Sequence, residues 1–232
     1  MRRLAPLLFL LASACTVETM DQPELSVSAP VGPPPSSVRA ARMFIEVVET
    51  VEPVAERECR QRTRGMNCDF NIVVDDRPGQ PPNAFQTEDR FGRPVLAFNI
   101  ALINEVHNAD ELAFVMGHEA AHHIQDHLAK TRLNATLGAV VLSGTAAILG
   151  ATPQEIEAAR DAGSVAGARS FSKDFELEAD KLGTIIAARA GYDPLRGALY
   201  FNRLPDPGNR FLGSHPPNAS RLQVVKDTVA GM

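Results

Sequence analysis

Apolar positions at the start of the main domain predict a long amphipathic helix. Across residues 38–62, four apolar side chains recur at spacings of four and three residues and so share one helical face: Ala40, Phe44, Val47 and Val51. Pro53 lacks a backbone N–H and its ring crowds the preceding turn, which predicts a kink or a break there.

The pattern changes after residue 69 to one that favours strands. Residues 70–74 and 94–98 are rich in β-branched and aromatic side chains. A stretch rich in glycine, proline and asparagine lies between them and is followed by a possible short strand at residues 84–86. Together these segments predict a small antiparallel sheet.

The second half of the chain has helical patterns. One helix is expected from Glu111 to about Lys130, with Asp110 as its cap. Residues 133–154 carry no charge, which predicts a buried helix, with association at a membrane surface as the alternative. Further helices are expected at 153–162 and 173–190. The prediction is therefore an α+β domain, mainly helical, over residues 37–232.

Composition narrows the class of protein. The chain is 44% hydrophobic and 22% charged, as expected for a globular protein rather than a disordered one. Its formal net charge is −5. Because binding to nucleic acid needs a basic surface, this charge argues against a nucleic-acid partner.

The first residues have the pattern of a secretory signal. Arg2 and Arg3 precede a short apolar stretch and small residues that end before Cys15, which predicts a signal peptide at 1–14. Residues 11–15 resemble a bacterial lipobox, although ordinary signal peptidase would also cleave before Cys15. We favour a lipidated Cys15 and a protein of the periplasm anchored to the outer membrane. Residues 15–36 contain five prolines and are interpreted as a tether.

Two further cysteines lie within the predicted domain. Cys59 and Cys68 are close in sequence. An exported protein folds in an oxidising compartment, so a disulfide between them is expected. Two unpaired thiols are the alternative.

The motif with the clearest chemical meaning is His118-Glu119-Ala120-Ala121-His122. Two histidines four residues apart lie on one helical face and can bind one zinc ion. Glu119 is one residue further round, where a carboxylate can act as general base without binding the metal. His123 and His127 have the same spacing but no glutamate between them, and are interpreted as surface residues.

A zinc site of this kind needs a third protein ligand. Glu176 and Asp180 lie four residues apart on a predicted helix, so Glu176 can bind the metal while Asp180 accepts a hydrogen bond from a ligand imidazole. Glu178 lies on a different face of this helix from Glu176 and Asp180 and is expected to be solvated.

These motifs resemble the gluzincin metallopeptidases of the CAAX-prenyl-protease and HtpX-like family, and above all its small periplasmic lipoprotein members. The resemblance runs from about Val38 to the C-terminus and includes four further segments: residues 83–85, 111–113, 190–194 and 214–216 with Arg221. It implies a zincin-type α+β fold and one zinc ion per chain, bound by His118, His122 and Glu176, with Glu119 catalytic.

The resemblance also suggests roles for two residues near the C-terminus. His215 would face the zinc from the opposite wall, where it could stabilise the tetrahedral intermediate or occupy the open metal position. Arg221 could hold this loop or assist the oxyanion. A purely structural role is the alternative for both residues.

The function predicted from the sequence is zinc-dependent endopeptidase action on unfolded or misassembled proteins of the bacterial envelope. Substrate is expected to pair as an extended segment with the strand at residues 95–99. The alternative is a latent or inactive zinc-containing chaperone or assembly factor. The expected contacts are therefore envelope proteins, and the membrane through the lipid anchor.

Overall fold

A computed structural model describes residues 36–210, 213 and 215–232 of the chain. The predicted signal peptide, the predicted lipidation site Cys15 and all of the predicted tether except its last residue lie outside these described residues. The elements in order are α1 Ser37–Arg62, β1 Asn71–Asp75, β2 Ala84–Glu88, β3 Pro94–Asn99, α2 Ile100–Glu105, α3 Ala109–Ile124, α4 His127–Ile148, α5 Pro153–Arg169, α6 Ser172–Arg189, α7 Pro194–Ala198, a 3₁₀ helix Leu199–Arg203, and α8 Asn218–Ala230. The predicted α+β class, mainly helical, is confirmed.

The sheet is mixed, with strand order β1–β3–β2. β2 pairs antiparallel with β3, as predicted, but β1 pairs parallel with β3, so the prediction of a wholly antiparallel sheet is wrong. The connection at residues 76–83 crosses from one edge of the sheet to the other, so β2 lies on the side of β3 opposite to β1. The chain reverses direction between β1 and β2 and again between β2 and β3, so β1 and β3 run in the same direction.

Helix α1 packs its apolar face into the main core, as its spacing predicts. Ala40, Phe44, Val47 and Val51 are all buried, and the ring of Phe44 meets that of Phe98 from β3 edge-on. The helix continues through Pro53 without the predicted break. Buried residues on both sides of this proline, including Val51 and Val54, hold the two turns against the core.

Helix α3 differs from the prediction at both ends. Its cap is Asn108, whose side-chain oxygen accepts a hydrogen bond from the Glu111 amide at 3.1 Å. Asp110 instead accepts from the Asp193 amide and pairs with Arg196, which fastens α3 to the start of α7. The predicted helix to Lys130 is two helices, because Asp126 adopts a left-handed conformation with φ of 58°.

Helices α3 and α6 approach each other closely through two glycines. A Cβ atom on Gly183 would lie 2.8 Å from the backbone nitrogen of His118, and one on Gly117 would lie 2.8 Å from the Gly183 carbonyl oxygen. Larger residues here would push the helices apart. This contact brings the acidic residues of α6 beside the histidines of α3.

Helix α4 is exposed, so the prediction of a buried helix over residues 133–154 is wrong. Its buried residue is His127, at the N-terminal end, whereas most of its apolar side chains face solvent. The reason lies in its partner: α4 packs along its length against α5, and no other described element covers its outer face. No helix among the described residues is long and apolar enough to cross a membrane.

The predicted disulfide is confirmed. Cys59 at the end of α1 is bonded to Cys68 ahead of β1, with their Cα atoms 5.7 Å apart. Just before Cys68, the carbonyl oxygen of Asn67 is bonded to the ring of His123 on α3 at 2.7 Å. The crosslinked loop is therefore fastened to the helix that carries the metal motif.

We expect the double variant Cys59→Ala/Cys68→Ala to lose roughly 2–3 kcal/mol of unfolding free energy, because opening a loop of this length returns conformational entropy to the unfolded chain. Urea denaturation of the two proteins measures the difference. A reducing agent should destabilise the parent by a similar amount and leave the variant unchanged. Equal stability of parent and variant would contradict the prediction.

Candidate metal centre

Three side chains predicted as metal ligands converge at one point between α3 and α6. The Nε2 atoms of His118 and His122 lie 3.0 Å apart, and the carboxylate oxygens of Glu176 lie 3.6 Å and 3.4 Å from them, respectively. Among the described residues this is the group with donor atoms close enough to hold a metal ion. The close approach at Gly183 brings the glutamate to the two histidines.

The spacing of these atoms suits zinc. Tetrahedral bonds of about 2.0–2.1 Å put ligand atoms about 3.3–3.4 Å apart, close to the 3.0–3.6 Å observed. The Nδ1 atoms of both histidines are engaged in hydrogen bonds on the far side of the rings. Their Nε2 atoms therefore face each other across the point where a cation would be bound, and the donor set fits the metal.

Asp180 and Arg221 form a buried ion pair behind His118. Asp180 accepts two hydrogen bonds from Arg221 at 2.7 Å and lies 2.9 Å from His118 Nδ1. The guanidinium also stacks on the Phe201 ring, 3.8 Å from its centre. Both partners are buried, so each depends on the other for its charge. Arg221 therefore fixes Asp180, and Asp180 fixes the ring of His118.

The acidic groups set the charges at this centre. Burial alone would raise the pKa of Asp180, but the hydrogen bonds from Arg221 and His118 lower it. The same opposition holds for Glu176, whose pKa burial would raise but hydrogen bonds from the histidines lower well below its usual range. Burial alone would lower the pKa of His118; the two carboxylates raise it to about 10. The two carboxylates thus favour positive charge at the point where the Nε2 atoms meet, as a bound cation would supply.

His215 lies at the rim of the cluster. Its Nδ1 atom is 3.1 Å from a carboxylate oxygen of Glu176, and its side chain is half exposed. Arg221 approaches the same oxygen at 3.5 Å. His215 therefore covers the carboxylate of Glu176 on the side facing solvent.

His127 also belongs to this centre, which the sequence did not predict. Its Nδ1 atom lies 2.9 Å from Nδ1 of His122, and its Nε2 atom lies 3.2 Å from the carboxylate of Glu178. The ring is buried and stacks on Phe175. Burial, together with the neighbouring His122, lowers the pKa of His127 to about 4, so the His127 ring is neutral at neutral pH.

Two interpretations of this region are therefore corrected. His123 and His127 are buried rather than on the surface: His123 meets Phe70 edge-on, and His127 joins the metal centre. Glu178 is half exposed, but it is bonded to His127 rather than simply solvated. The only sequence signal for His127 was its position five residues after His122, which a continuous helix would have turned away from the site.

A cleft of about 470 Å³ opens onto the three ligands. Glu119 lines it beside them, as its place in the motif predicts. Residues 83–86 of the β2 edge form part of its wall, with a cluster of apolar side chains that includes Phe114 and Phe201. β3 is paired on both sides, so the predicted pairing of substrate with residues 95–99 is wrong.

The helix pair, the ligand set and the glutamate in the cleft define a site of the metallopeptidase class. The sequence matches Peptidase family M48 over residues 44–229. The chain belongs to this family, whose metallopeptidases are zinc-dependent.

Individual relatives point the same way. The chain is 34% identical over 146 residues to the beta-barrel assembly-enhancing protease of Escherichia coli, covering 57% of this chain and 30% of that protein. It is 34% identical over 131 residues to a putative beta-barrel assembly-enhancing protease of Vibrio cholerae, covering 53% and 26%. It is 26% identical over 205 residues to the mitochondrial metalloendopeptidase OMA1 of Saccharomyces cerevisiae, covering 82% and 54%. The chain thus spans about a third or less of the length of the two bacterial relatives.

We expect His127→Phe to weaken metal binding by about 10- to 100-fold, because phenylalanine keeps the stacking on Phe175 but gives His122 no hydrogen-bond acceptor. Competition with a chromogenic chelator measures the dissociation constant of zinc. Glu178→Gln retains an acceptor oxygen for His127 and should cost less. Unchanged zinc affinity in a folded His127→Phe variant would reduce this histidine to a packing role.

Proposed function

We propose that this chain is a zinc-dependent endopeptidase in which Glu119 is the catalytic general base. The observation that carries the proposal is the position of Glu119 in the cleft beside His118, His122 and Glu176. A carboxylate beside a metal, but outside its ligand set, is suited to proton transfer rather than to metal binding.

The proposed chemistry divides between the metal and the chain. Zinc held by the three ligands supplies a Lewis acid for the scissile carbonyl and lowers the pKa of the attacking water. Glu119 takes the proton of that water and later delivers it to the leaving amine. Asp180, held by Arg221, keeps His118 in the tautomer that presents Nε2 to the metal.

We propose that substrate binds as an extended segment along the β2 edge. Within the described chain, β2 pairs with β3 on one side only, and residues 83–86 line the cleft. An unpaired strand edge offers main-chain hydrogen bonds to any extended peptide. Because folded proteins rarely expose such segments, this mode favours unfolded or misassembled substrates.

We assign His215 and Arg221 different roles. His215, exposed at the cleft rim and 3.1 Å from Glu176, can contact the reacting groups and stabilise the tetrahedral intermediate. Arg221 is buried under Asp180 and acts by positioning. The location of His215 also favours the second candidate function, a latent zinc-containing chaperone or assembly factor, because a side chain at this rim can close the open metal position.

The proposed setting is the bacterial envelope. The signal pattern at residues 1–14 and the lipobox-like residues before Cys15 support export and anchoring to the outer membrane. The disulfide supports an oxidising compartment. The names of the bacterial relatives support protein substrates connected with beta-barrel assembly.

A cleavage assay tests the proposed function. We expect the purified chain to contain one zinc ion and to cleave an unfolded envelope protein, with activity lost in 1,10-phenanthroline and restored by added zinc. The isomer 1,7-phenanthroline, which chelates poorly, is the control. A fully zinc-loaded chain that leaves the substrate intact but suppresses its aggregation would contradict the protease and support the chaperone.

A further inference from the structure

Helices α4 and α5 form a hairpin (residues 127–169) that is separate from the main core. In the described part of the chain, the two helices pack mainly against each other, with smaller contacts from α4 to α3 and from α5 to α6. They approach so closely that a Cβ atom on Gly138 would lie 2.1 Å from the carbonyl oxygen of Gly163. This backbone-to-backbone packing holds the hairpin together, and most of the larger apolar side chains of α4 lie outside the contact and are exposed to solvent.

Those side chains form an apolar strip on the outer face of α4. They recur at helical spacing, are between 53% and 88% exposed, and comprise Leu133, Leu137, Val140, Val141 and Ile148. Leu149, at the turn of the hairpin, is 80% exposed. Isolated apolar residues on a surface are ordinary, but a continuous strip is typical of a contact site.

Three hydroxyl groups along α4 are already bonded within the helix. The hydroxyl groups of Thr136, Ser143 and Thr145 donate to carbonyl oxygens one turn earlier. Residues 133–154 contain no charged side chain. Removing this face from water therefore leaves few polar groups without a partner, so its desolvation costs little.

The dimensions of the strip favour a lipid surface over a protein partner. Between Leu133 and Ile148 it is roughly 22 Å long and one helix, about 10 Å, wide. Its six residues, Leu149 included, are few beside the roughly 20–30 residues that each partner contributes to a stable protein interface. A lipid surface needs no complementary shape, and a helix lying in the interface gains from every apolar group that it buries.

The location of the charges fixes the orientation. Lys130 and Arg132 are at the N-terminal end of α4, before the strip begins, and the other charged residues of the hairpin are all on α5: Glu155, Glu157, Arg160, Asp161 and Arg169. α5 packs on the side of α4 away from the strip, so its charges stay in water when the strip faces lipid. The 21 residues between Cys15 and Ser37 span at most about 75 Å, so a lipid anchor would hold this face within reach of the membrane.

We propose that the outer face of α4 lies flat on a phospholipid surface, a contact that rests on the envelope location proposed above. The contact is peripheral, since no described helix is able to cross a membrane. It adds a second attachment to the lipid anchor and sets the side of the domain that faces the bilayer.

The test uses the chain from residue 15 onward with Cys15→Ser, so that no lipid contributes, and vesicles of phosphatidylethanolamine and phosphatidylglycerol. We expect this protein to float with the vesicles, and Leu137→Gln/Ile148→Gln to weaken that binding about tenfold or more. Val165→Gln is the matched control. Val165 is also half exposed, but it lies on α5 between Gly163 and Gly167, which face α4, and so points away from the strip.

A second readout comes from fluorescence. The chain contains no tryptophan, so Leu137→Trp introduces a single reporter whose emission should shift to the blue when vesicles are added. Absence of vesicle binding, or binding that the glutamine pair leaves unchanged, would overturn the proposal. Self-association without vesicle binding, lost in the glutamine pair, would assign the strip to a second copy. Cleavage of a soluble unfolded substrate without vesicles reports separately on the proposed protease.

Discussion

Glu119→Gln is expected to reduce kcat/KM for peptide cleavage by roughly 10²–10⁴-fold, the contribution of a general base. Glutamine has nearly the shape of glutamate but cannot accept the proton of the attacking water. Glu119 lines the cleft without belonging to the group of metal donors, so the three ligands are untouched. We therefore expect full zinc content and an unchanged melting temperature.

The control for this prediction is Glu157→Gln, the same substitution on the exposed surface of α5, where the carboxylate pairs only with Arg160. It should retain parental activity. Cleavage by Glu119→Gln at the parental rate, with zinc content equal in the two proteins, would rule out the proposed role of this residue. Loss of zinc together with activity would instead identify Glu119 as a residue that maintains the metal site.

Asp180→Asn is expected to cost about 3–5 kcal/mol of unfolding free energy, since it leaves the buried guanidinium of Arg221 without its partner. Zinc affinity should also fall by about 10- to 100-fold, because His118 loses the carboxylate that orients its ring. Chemical denaturation of the metal-free proteins measures the first effect, and chelator competition measures the second.

Two further variants separate these effects. Asp174→Asn makes the same change at an exposed position in the first turn of α6 and should cost under about 1 kcal/mol. Adding Arg221→Met to Asp180→Asn removes the unpaired charge, so it should recover part of the stability but not the zinc affinity. Recovery of both properties would show that Asp180 does not act through His118.

The cluster of candidate metal ligands was predictable because its geometry is local. The spacing of four residues places His118 beside His122, and Glu176 beside Asp180, on any regular helix. The path of the chain between the two helices did not matter for this prediction. The distances observed at the cluster follow from two short motifs brought together at Gly183.

Other features depend on the path of the chain and were missed for that reason. His127 reaches His122 because the helix breaks at Asp126, and the motif itself does not indicate a break. The parallel pairing of β1 depends on the edge of β3 that it occupies, and the strand pattern itself does not indicate which edge that is. An uncharged apolar segment likewise does not indicate which other element packs against it. In the described chain α5 packs along one face of α4, and the apolar side chains on the opposite face are exposed.

The ion pair behind His118 makes the metal centre depend on a helix far along the chain. The residues of the centre come from four helices, α3, α4, α6 and α8, and Arg221 on α8 is more than 90 residues after the last histidine of the centre on these helices, His127. A chain that ends before α8 has Asp180 without its cation, so we expect the ring of His118 to lose its fixed orientation. Such a truncated chain keeps both histidines and Glu176, yet it should bind a metal ion more weakly than the longer chain.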